Sequence, residues 1–163
     1  MCSSDLMASG SRGGQHGGVR GLVQRVQQAS VEVDGDVVGQ IGPGLCVLVG
    51  VTHTDTDHTA RKLADKLWNL RVFDDDRGVM NRSAADESRE ILIVSQFTLY
   101  ADTSAGRRPS YVAAARPEHA EPLVDAVVTE LRRLGADVAT GRFRTEMQVR
   151  LTNDGPVTVM IDI

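Results

Sequence analysis

The chain has 163 residues, of which 41% are hydrophobic and 25% charged, so it is long enough for one domain with a buried core. No apolar run approaches the roughly 20 residues that span a bilayer, and we expect no membrane partner. The net charge of −4 does not by itself indicate nucleic-acid binding. The two cysteines, Cys2 and Cys46, argue against a disulfide framework or a zinc knuckle. We therefore expect a reducing compartment, the cytoplasm.

Residues 1–18 differ in composition from the rest of the chain. They are rich in Gly and Ser, and they show neither apolar periodicity nor the apolar stretch of a secretory signal. We expect a disordered leader or extension there, followed by a single domain over residues 19–163.

The first half of that domain reads as strands joined by tight turns, and then a helix. Asp34-Gly35 and Gly42-Pro43-Gly44 are turn signals. The predicted strands are 20–27, 30–34, 37–41 and 45–51, the last apolar enough to be covered on both faces. The helix has N-cap candidates at 54–57 and an apolar stripe of Ala60, Leu63, Leu67 and Leu70.

The second half contains further strands and one more helix. Before the tail, the predicted features are a polar turn at 74–78, a polar loop at 84–90, a long central strand at 91–100, a Gly-, Arg- and Pro-rich loop at 101–110, and a helix that Pro117 opens and Gly135 ends. The alternation from Met147 to Ile163 around Asp154-Gly155 predicts a β-hairpin with one buried face. The predicted fold class is α/β (α+β), a single domain in which mostly antiparallel or mixed sheets pack with two helices.

Standard hydrolase motifs are missing from the sequence. Neither Gly-x-Ser-x-Gly nor His-Glu-x-x-His occurs. His53, Asp55, Asp57 and His58 cluster at a helix start, where they resemble solvated caps more than a metal site. We expect no metal and no other cofactor.

The segment Ser95-Gln96-Phe97-Thr98 follows the apolar run of residues 91–94 and interrupts the predicted strand with three polar side chains. A polar group in a buried strand costs free energy unless it is paired. Two explanations fit this pattern equally well. Either the residues simply alternate between the two faces of a strand, or a hydroxyl and an amide point into a pocket. Asn153-Asp154-Gly155-Pro156 is a second oddity, which by itself indicates an ordinary turn.

Arginines recur in the second half of the chain, where they form either a solvated surface or a phosphate-contacting face. They are Arg107, Arg108, Arg116, Arg132, Arg133, Arg142, Arg144 and Arg150. Charge alone favours the solvated surface.

Ten ordered segments between residues 19 and 163 together resemble the D-aminoacyl-tRNA deacylase family. They are Gln24-Arg25-Val26, Ala29 to Gly35, Ile41 to Leu45, Asn69 to Phe73, Met80-Asn81, Ser95 to Leu99, Gly106 to Ser110, Thr140 to Phe143, Met147 to Val149 and Asn153 to Thr158. The departures from the family pattern are modest: Arg144-Thr145-Glu146 replaces the small or acidic residues usual before Met147, and residues 85–90 are less Gly-rich than the family loop.

The resemblance implies a homodimer with its active site at the subunit interface. Ser95, Gln96, Phe97 and Thr98 of one subunit would meet Gly155 and Pro156 of the other. A cis Gly155-Pro156 bond would form a chirality filter that excludes L-amino acids by clash, as a form of negative selection that admits glycine. By the same match Arg25 would hold that segment, and Phe143 and Met147 would line the pocket for the terminal adenosine. The arginines of residues 107–150 would then contact the acceptor stem of the aminoacyl-tRNA.

The implied reaction is hydrolysis of the aminoacyl ester. Thr98 resembles a nucleophile, but a hydroxyl without a base is weak, and no His, Lys or carboxylate adjoins it in sequence. We therefore favour substrate-assisted hydrolysis, in which N–H groups near Phe97 and Thr98 hold the oxyanion while Ser95 and Gln96 position the substrate. A non-catalytic module that binds tRNA ends and a conventional Ser or Thr esterase are the alternatives.

Overall fold

A computed structural model describes residues 18–163. The long strand β1 (Arg20–Val33) organises the main sheet, because three other strands pair with it. The other strands are β2 (Asp36–Ile41), β3 (Gly44–Gly50), β4 (Phe73–Asp74), β5 (Met80–Arg82), β6 (Glu90–Ser95), β7 (Val138–Thr140) and β8 (Gln148–Asp162). The helices are α1 (Asp57–Asn69), α2 (Ala84–Glu87) and α3 (Pro117–Arg133), and a 3-10 turn covers Phe97–Tyr100. The leader predicted at residues 1–18 lies, except for Gly18, outside the described residues.

The main sheet is mixed. β8 pairs antiparallel with one edge of β1, and β3 and then β2 pair antiparallel with the other edge. β3, β6 and β7 continue the sheet as parallel neighbours, while β4 and β5 form a separate ribbon. The predicted mixed α/β single domain is confirmed. The sheet almost closes on itself, because Gly39 of β2 packs so tightly on β7 that a Cβ there would lie 2.3 Å from the Thr140 carbonyl oxygen.

Two apolar clusters cover the two faces of the central strands. The larger one joins α1 and α3 to the sheet through side chains such as Leu63, Leu67 and Leu131. The smaller one includes Val31, Ile41, Cys46, Leu92 and Val94. β3 contributes Leu45, Val47 and Val49 to the first cluster and Cys46 to the second, so its predicted burial on both faces is confirmed. None of the helices within residues 18–163 has the length and apolarity needed to cross a bilayer.

The predicted strand 91–100 is wrong beyond Ser95. Its partner β3 ends at Gly50, and the Gln96 N–H donates a hydrogen bond to the Val49 carbonyl, 2.8 Å, just beyond the end of β6. The chain then turns sharply, and a Cβ at Gly50 would lie 2.9 Å from Leu99 Cβ. Because Gly50 has no side chain, the 3-10 turn packs directly on the end of β3.

The predicted hairpin at 147–163 is also wrong. Both halves of this segment belong to β8 and pair with the same strand, residues 148–153 with the later part of β1 and residues 158–162 with its start. Between Gln24–Thr158 and Val26–Asn153, one residue of β1 opposes four of β8. The turn residues therefore make a bulge in a continuing strand, and the chain does not fold back. Of the predicted buried face only Ile161 is fully buried.

Two shorter predictions also need correction. Residues 20–27 and 30–34, predicted as two strands, form the single strand β1, and a register shift between Val26 and Gln28 accounts for the exposed pair Gln27 and Gln28. The predicted loop 84–90 contains α2, which is too short for apolar periodicity. The Ser83 hydroxyl caps it by accepting the Asp86 N–H, 3.1 Å.

The predicted helix caps are partly right. Thr56 is the N-cap of α1, but Asp55 is not solvated: it is 2% exposed. Its carboxylate accepts hydrogen bonds from Val19 N–H (2.7 Å), Thr52 N–H (2.8 Å) and the Thr59 hydroxyl (2.9 Å). Since every donor is a protein group, Asp55 ties β1 to the start of α1.

Candidate functional site

A cavity of about 650 Å³ opens where β3 and β6 end. Its wall combines the end of β6 with residues 111–120 and 143–149. Of the predicted catalytic and substrate-binding residues, five line it: Ser95, Gln96, Phe97, Phe143 and Met147. A volume of this size is typical of small-molecule and cofactor sites.

The cavity-wall segment, Ser95 to Thr98, does not alternate as a strand would. Ser95 and Gln96 are half-buried at the end of β6, whereas the Phe97 ring is 56% exposed. The Gln96 amide donates a hydrogen bond to the Thr98 hydroxyl. An amide is not a base, so this contact orients the hydroxyl without activating it. The N–H groups of Phe97 and Thr98 open the 3-10 turn, where the first N–H groups have no acceptor within the turn.

Phe143 and Met147 serve both the core and the cavity. Phe143 packs against the larger apolar cluster and Met147 against the smaller one. Gly141 leaves room for the Met147 side chain, because a Cβ there would lie 2.7 Å from the Met147 sulfur. Both side chains are therefore held firmly while presenting an apolar surface to the cavity.

Gly155 and Pro156 project from the bulge, Asp154 to Val157, and both are exposed. Their peptide bond is cis, and Gly155 has a φ of 130°. A Cβ at Gly155 would lie 2.9 Å from a methyl group of Val157 and 3.1 Å from the Arg25 guanidinium. This backbone conformation and this crowding both favour glycine.

Arg25 fastens the bulge to the body of the protein. Its side chain is 11% exposed. It donates to the carbonyls of Asp154 (3.0 Å) and Val72 (2.7 Å), and it lies 3.5 Å from the Asp74 carboxylate. A guanidinium presents several donors in a fixed fork, so one side chain holds three groups in one geometry.

The site residues fall into two groups within one chain. The cavity holds Ser95 to Phe97 with Phe143 and Met147, whereas Arg25, Gly155 and Pro156 do not line it. Thr98 is half-buried and does not line the cavity either. A single subunit thus presents an open cavity and a separate exposed projection.

Sequence reasoning missed one wall of the cavity, formed by Tyr111, Ala114 and Ala115. This segment is held to the end of β3 by the Thr52 hydroxyl, which donates to the Ala113 carbonyl (2.6 Å), and by Ala115 N–H, which donates to the Val51 carbonyl (2.9 Å). Its only sequence signal was its position directly after the family-like stretch Gly106 to Ser110.

Three groups that do not line the cavity, Cys46, Tyr100 and Glu118, have shifted pKa values of structural origin. Burial raises the pKa of the Cys46 thiol to about 11, so it is protonated and unreactive at neutral pH. Burial also raises the pKa of Tyr100 to about 12. The pKa of Glu118 is lowered, first by a hydrogen bond from its own backbone N–H and then by Arg144, with which it pairs at 3.1 Å.

Sequence comparison identifies the family. The model for D-Tyr-tRNA(Tyr) deacylase matches residues 22–162. This chain belongs to the D-Tyr-tRNA(Tyr) deacylase family. A D-aminoacyl-tRNA deacylase of Nocardia farcinica is 62% identical over 147 residues, covering 88% of this chain and 99% of the relative. One of Streptomyces coelicolor is 56% identical over 146 residues, covering 89% and 100%.

Two solved structures share the fold. The c-Myc DNA Unwinding Element Binding Protein has a TM-score of 0.84 at 38% identity, over 88% of this chain and 98% of that one. A probable eukaryotic D-amino acid tRNA deacylase has a TM-score of 0.77 at 18% identity, which shows the shared fold. The resemblance predicted from the sequence is confirmed, and with it the enzyme class: this deacylase-family chain is a hydrolase of ester bonds.

Proposed function

We propose that this protein hydrolyses the ester that joins a D-amino acid to the terminal adenosine of tRNA, in translation quality control. The observation that carries the proposal is the cavity of about 650 Å³ walled by Ser95, Gln96 and Phe97 in a chain of this family. Phe143 and Met147 offer it the apolar surface that a purine ring requires. The ester carbonyl then lies beside the cavity-wall segment.

The substrate assists its own hydrolysis. Water attacks the ester carbonyl, its proton passes by way of the vicinal ribose hydroxyl, and the ribose 3′ oxygen leaves with the electron pair and takes up a proton. The N–H groups of Phe97 and Thr98 stabilise the oxyanion, while Ser95 and Gln96 position the ester. The Gln96–Thr98 contact supports this assignment, because it gives Thr98 no base.

Gly155 and Pro156 act as the chirality filter of the partner subunit's cavity in a homodimer. Their exposure on the bulge, and their absence from the lining of the cavity in their own chain, support a site completed across two subunits. Arg25 sets the position of the filter. A filter that rejects every L side chain by clash is indifferent to side-chain identity, and it accepts glycyl-tRNA as well.

Residues 19–163 form the catalytic domain. The exposed arginines between 107 and 150 contact the acceptor stem. With a net charge of −4, binding is weak and sensitive to salt, which allows release of correct L-aminoacyl-tRNA. We place the enzyme in the cytoplasm, where its substrate is.

The test is deacylation of D-tyrosyl-tRNA and L-tyrosyl-tRNA in parallel, with a chelator present and spontaneous hydrolysis subtracted. The expected result is rapid loss of the D-ester and of glycyl-tRNA, with the L-ester spared. Loss of both tyrosyl esters would indicate a general esterase and overturn the filter. Loss of neither would leave a module that only binds tRNA ends.

A further inference from the structure

Two exposed aromatic rings stand at the mouth of the cavity. Tyr111 is 42% exposed and Phe97 is 56% exposed. Their ring centroids are 5.1 Å apart and their planes meet at 72°, an edge-to-face pair. Both rings line the cavity. Paired aromatic rings left in water at a cavity mouth are typical of a recognition surface.

The Tyr111 ring is carried by a fixed backbone. The Ala114 N–H donates to the Tyr111 carbonyl (3.0 Å), and the next carbonyl, of Val112, contacts the His53 ring at 2.7 Å. Thr52 and Ala114 also form a β-bridge. The ring is therefore presented in advance of any ligand, which lowers the entropic cost of binding.

Two arginines precede Tyr111 in the chain. Asp102 and Ser110 exchange backbone hydrogen bonds of 2.7 and 2.8 Å and so close a loop immediately before Tyr111. That loop carries Arg107 and Arg108, both exposed and without an ion-pair partner within residues 18–163. The one carboxylate at the loop base, Asp102, accepts hydrogen bonds from Ser104, which lower its pKa.

We propose that Tyr111 and Phe97, flanked by Arg107 and Arg108, form a stacking platform for the single-stranded nucleotide that precedes the terminal adenosine of tRNA. The inference rests on the proposed function, which places that adenosine in the adjoining cavity. Exposed rings beside unpaired arginines match the chemistry of single-stranded nucleic acid, in which bases stack on rings and phosphates meet cations. The platform continues from the cavity mouth, where the chain of the tRNA leaves.

The experiment compares two substrates, D-tyrosyl-tRNA and D-tyrosyl-adenosine, which ends at the terminal nucleoside. Tyr111→Ala is expected to lower kcat/KM on the tRNA by about tenfold, mainly through KM, and by a much smaller factor on the adenosine ester. Tyr111→Phe keeps a ring and restores the value. The double variant Arg107→Ala, Arg108→Ala is expected to lower kcat/KM on the tRNA but not on the adenosine ester, and to make kcat/KM on the tRNA less dependent on salt. Val112→Ala, at an 82% exposed neighbour, is the matched control.

An independent binding measurement separates this inference from the proposed function. Fluorescence anisotropy of a labelled RNA ending in CCA is expected to show about tenfold weaker binding to Tyr111→Ala than to the native protein, whether or not hydrolysis occurs. Equal losses on both substrates, unchanged binding of the RNA, or a shift of the monomer–dimer equilibrium in Tyr111→Ala would each overturn the platform. A native protein that hydrolyses neither ester but loses RNA binding on this substitution would overturn the proposed function alone.

Discussion

The cavity-wall segment and the bulge both break a strand with polar residues, yet they do so in opposite ways. At Ser95 the strand ends, because its partner β3 ends at Gly50, and the chain turns inward against the core. At Asp154 the strand pauses and resumes against the same partner, so that Gly155 and Pro156 face outward. A terminated strand thus shapes a cavity, while an interrupted strand shapes a projection.

The two segments also differ in how they are held. Apolar packing fixes the cavity-wall segment, since β6 is buried on both faces between the two clusters. In the bulge Val157 packs against the larger cluster and its N–H is held by Asn153, whereas Gly155 and Pro156 are exposed and the Asp154 carbonyl is held by Arg25. Polar anchors are removed by single substitutions more easily than a shared core, so the bulge is the more fragile half of the site.

The largest effect is expected from Arg25→Ala, which removes the anchor. Without its bonds to Asp154 and Val72 the bulge shifts, and misplacement of about 1 Å costs about 100-fold in kcat/KM on D-tyrosyl-tRNA. Steady-state deacylation measures this loss. Arg82→Ala is the matched control, because Arg82 also holds two partners, Asp76 (3.1 Å) and Glu87 (3.1 Å), neither of which belongs to the bulge or the cavity wall. Equal losses in the two variants would show that Arg25 has no special role.

A smaller loss is expected from Gly155→Ala. A Cβ at a φ of 130° is strained and meets Val157 and Arg25, so the backbone moves at a cost of roughly 1–3 kcal/mol. We expect about a tenfold fall in kcat/KM. Gly35→Ala is the control, since Gly35 has a φ of 82° with nothing within 4 Å and lies in the β1–β2 turn. It should lose stability and keep activity; a reversal of these outcomes would contradict the comparison.

The sequence indicated where both segments lie, but the local structure predicted for each was wrong. Asp34-Gly35 was predicted correctly as a hairpin turn because its two flanking runs pair with each other. Asn153 to Gly155 gives the same local signal, but there β1 is long enough to pair with both flanks, and that length is set by the whole sheet. The end of β6 depends likewise on where β3 ends. Tyr111 escaped detection because hydrogen bonds between distant residues bring its segment to the cavity.

A measurement of unfolding free energy against pH tests whether water is excluded from Cys46 in the sheet. The pKa of Cys46 is raised from 9.0 to about 11, so the folded state holds its proton after the unfolded state has lost it. Its contribution is complete below pH 9 and is lost as the pH rises towards 11, by about 1 kcal/mol near pH 10. Denaturant unfolding of the native protein and Cys46→Ala across this range measures it. If the unfolding free energies of the native protein and Cys46→Ala change with pH in parallel, Cys46 is not shielded from water.

The smallest effect is expected from Thr98→Ala, which decides whether the cavity-wall segment acts through its side chain or its backbone. The Thr98 hydroxyl accepts a hydrogen bond from the Gln96 amide and has no hydrogen-bonded base within residues 18–163. Its removal leaves the N–H groups of the 3-10 turn in place. Removing one neutral hydrogen bond costs about 1 kcal/mol, so kcat should fall by no more than about fivefold.

Single-turnover deacylation of D-tyrosyl-tRNA isolates the chemical step for this variant, and Thr98→Ser, which keeps a hydroxyl, is its control. A loss beyond about 10³-fold in Thr98→Ala that Thr98→Ser restores would make the hydroxyl a nucleophile or an acid–base group. The small loss would instead mean that the end of β6 supplies main-chain donors, as the bulge supplies a main-chain filter. The cavity-wall segment and the bulge would then work in the same way, since in both the main chain contacts the substrate and side chains only hold that main chain in place.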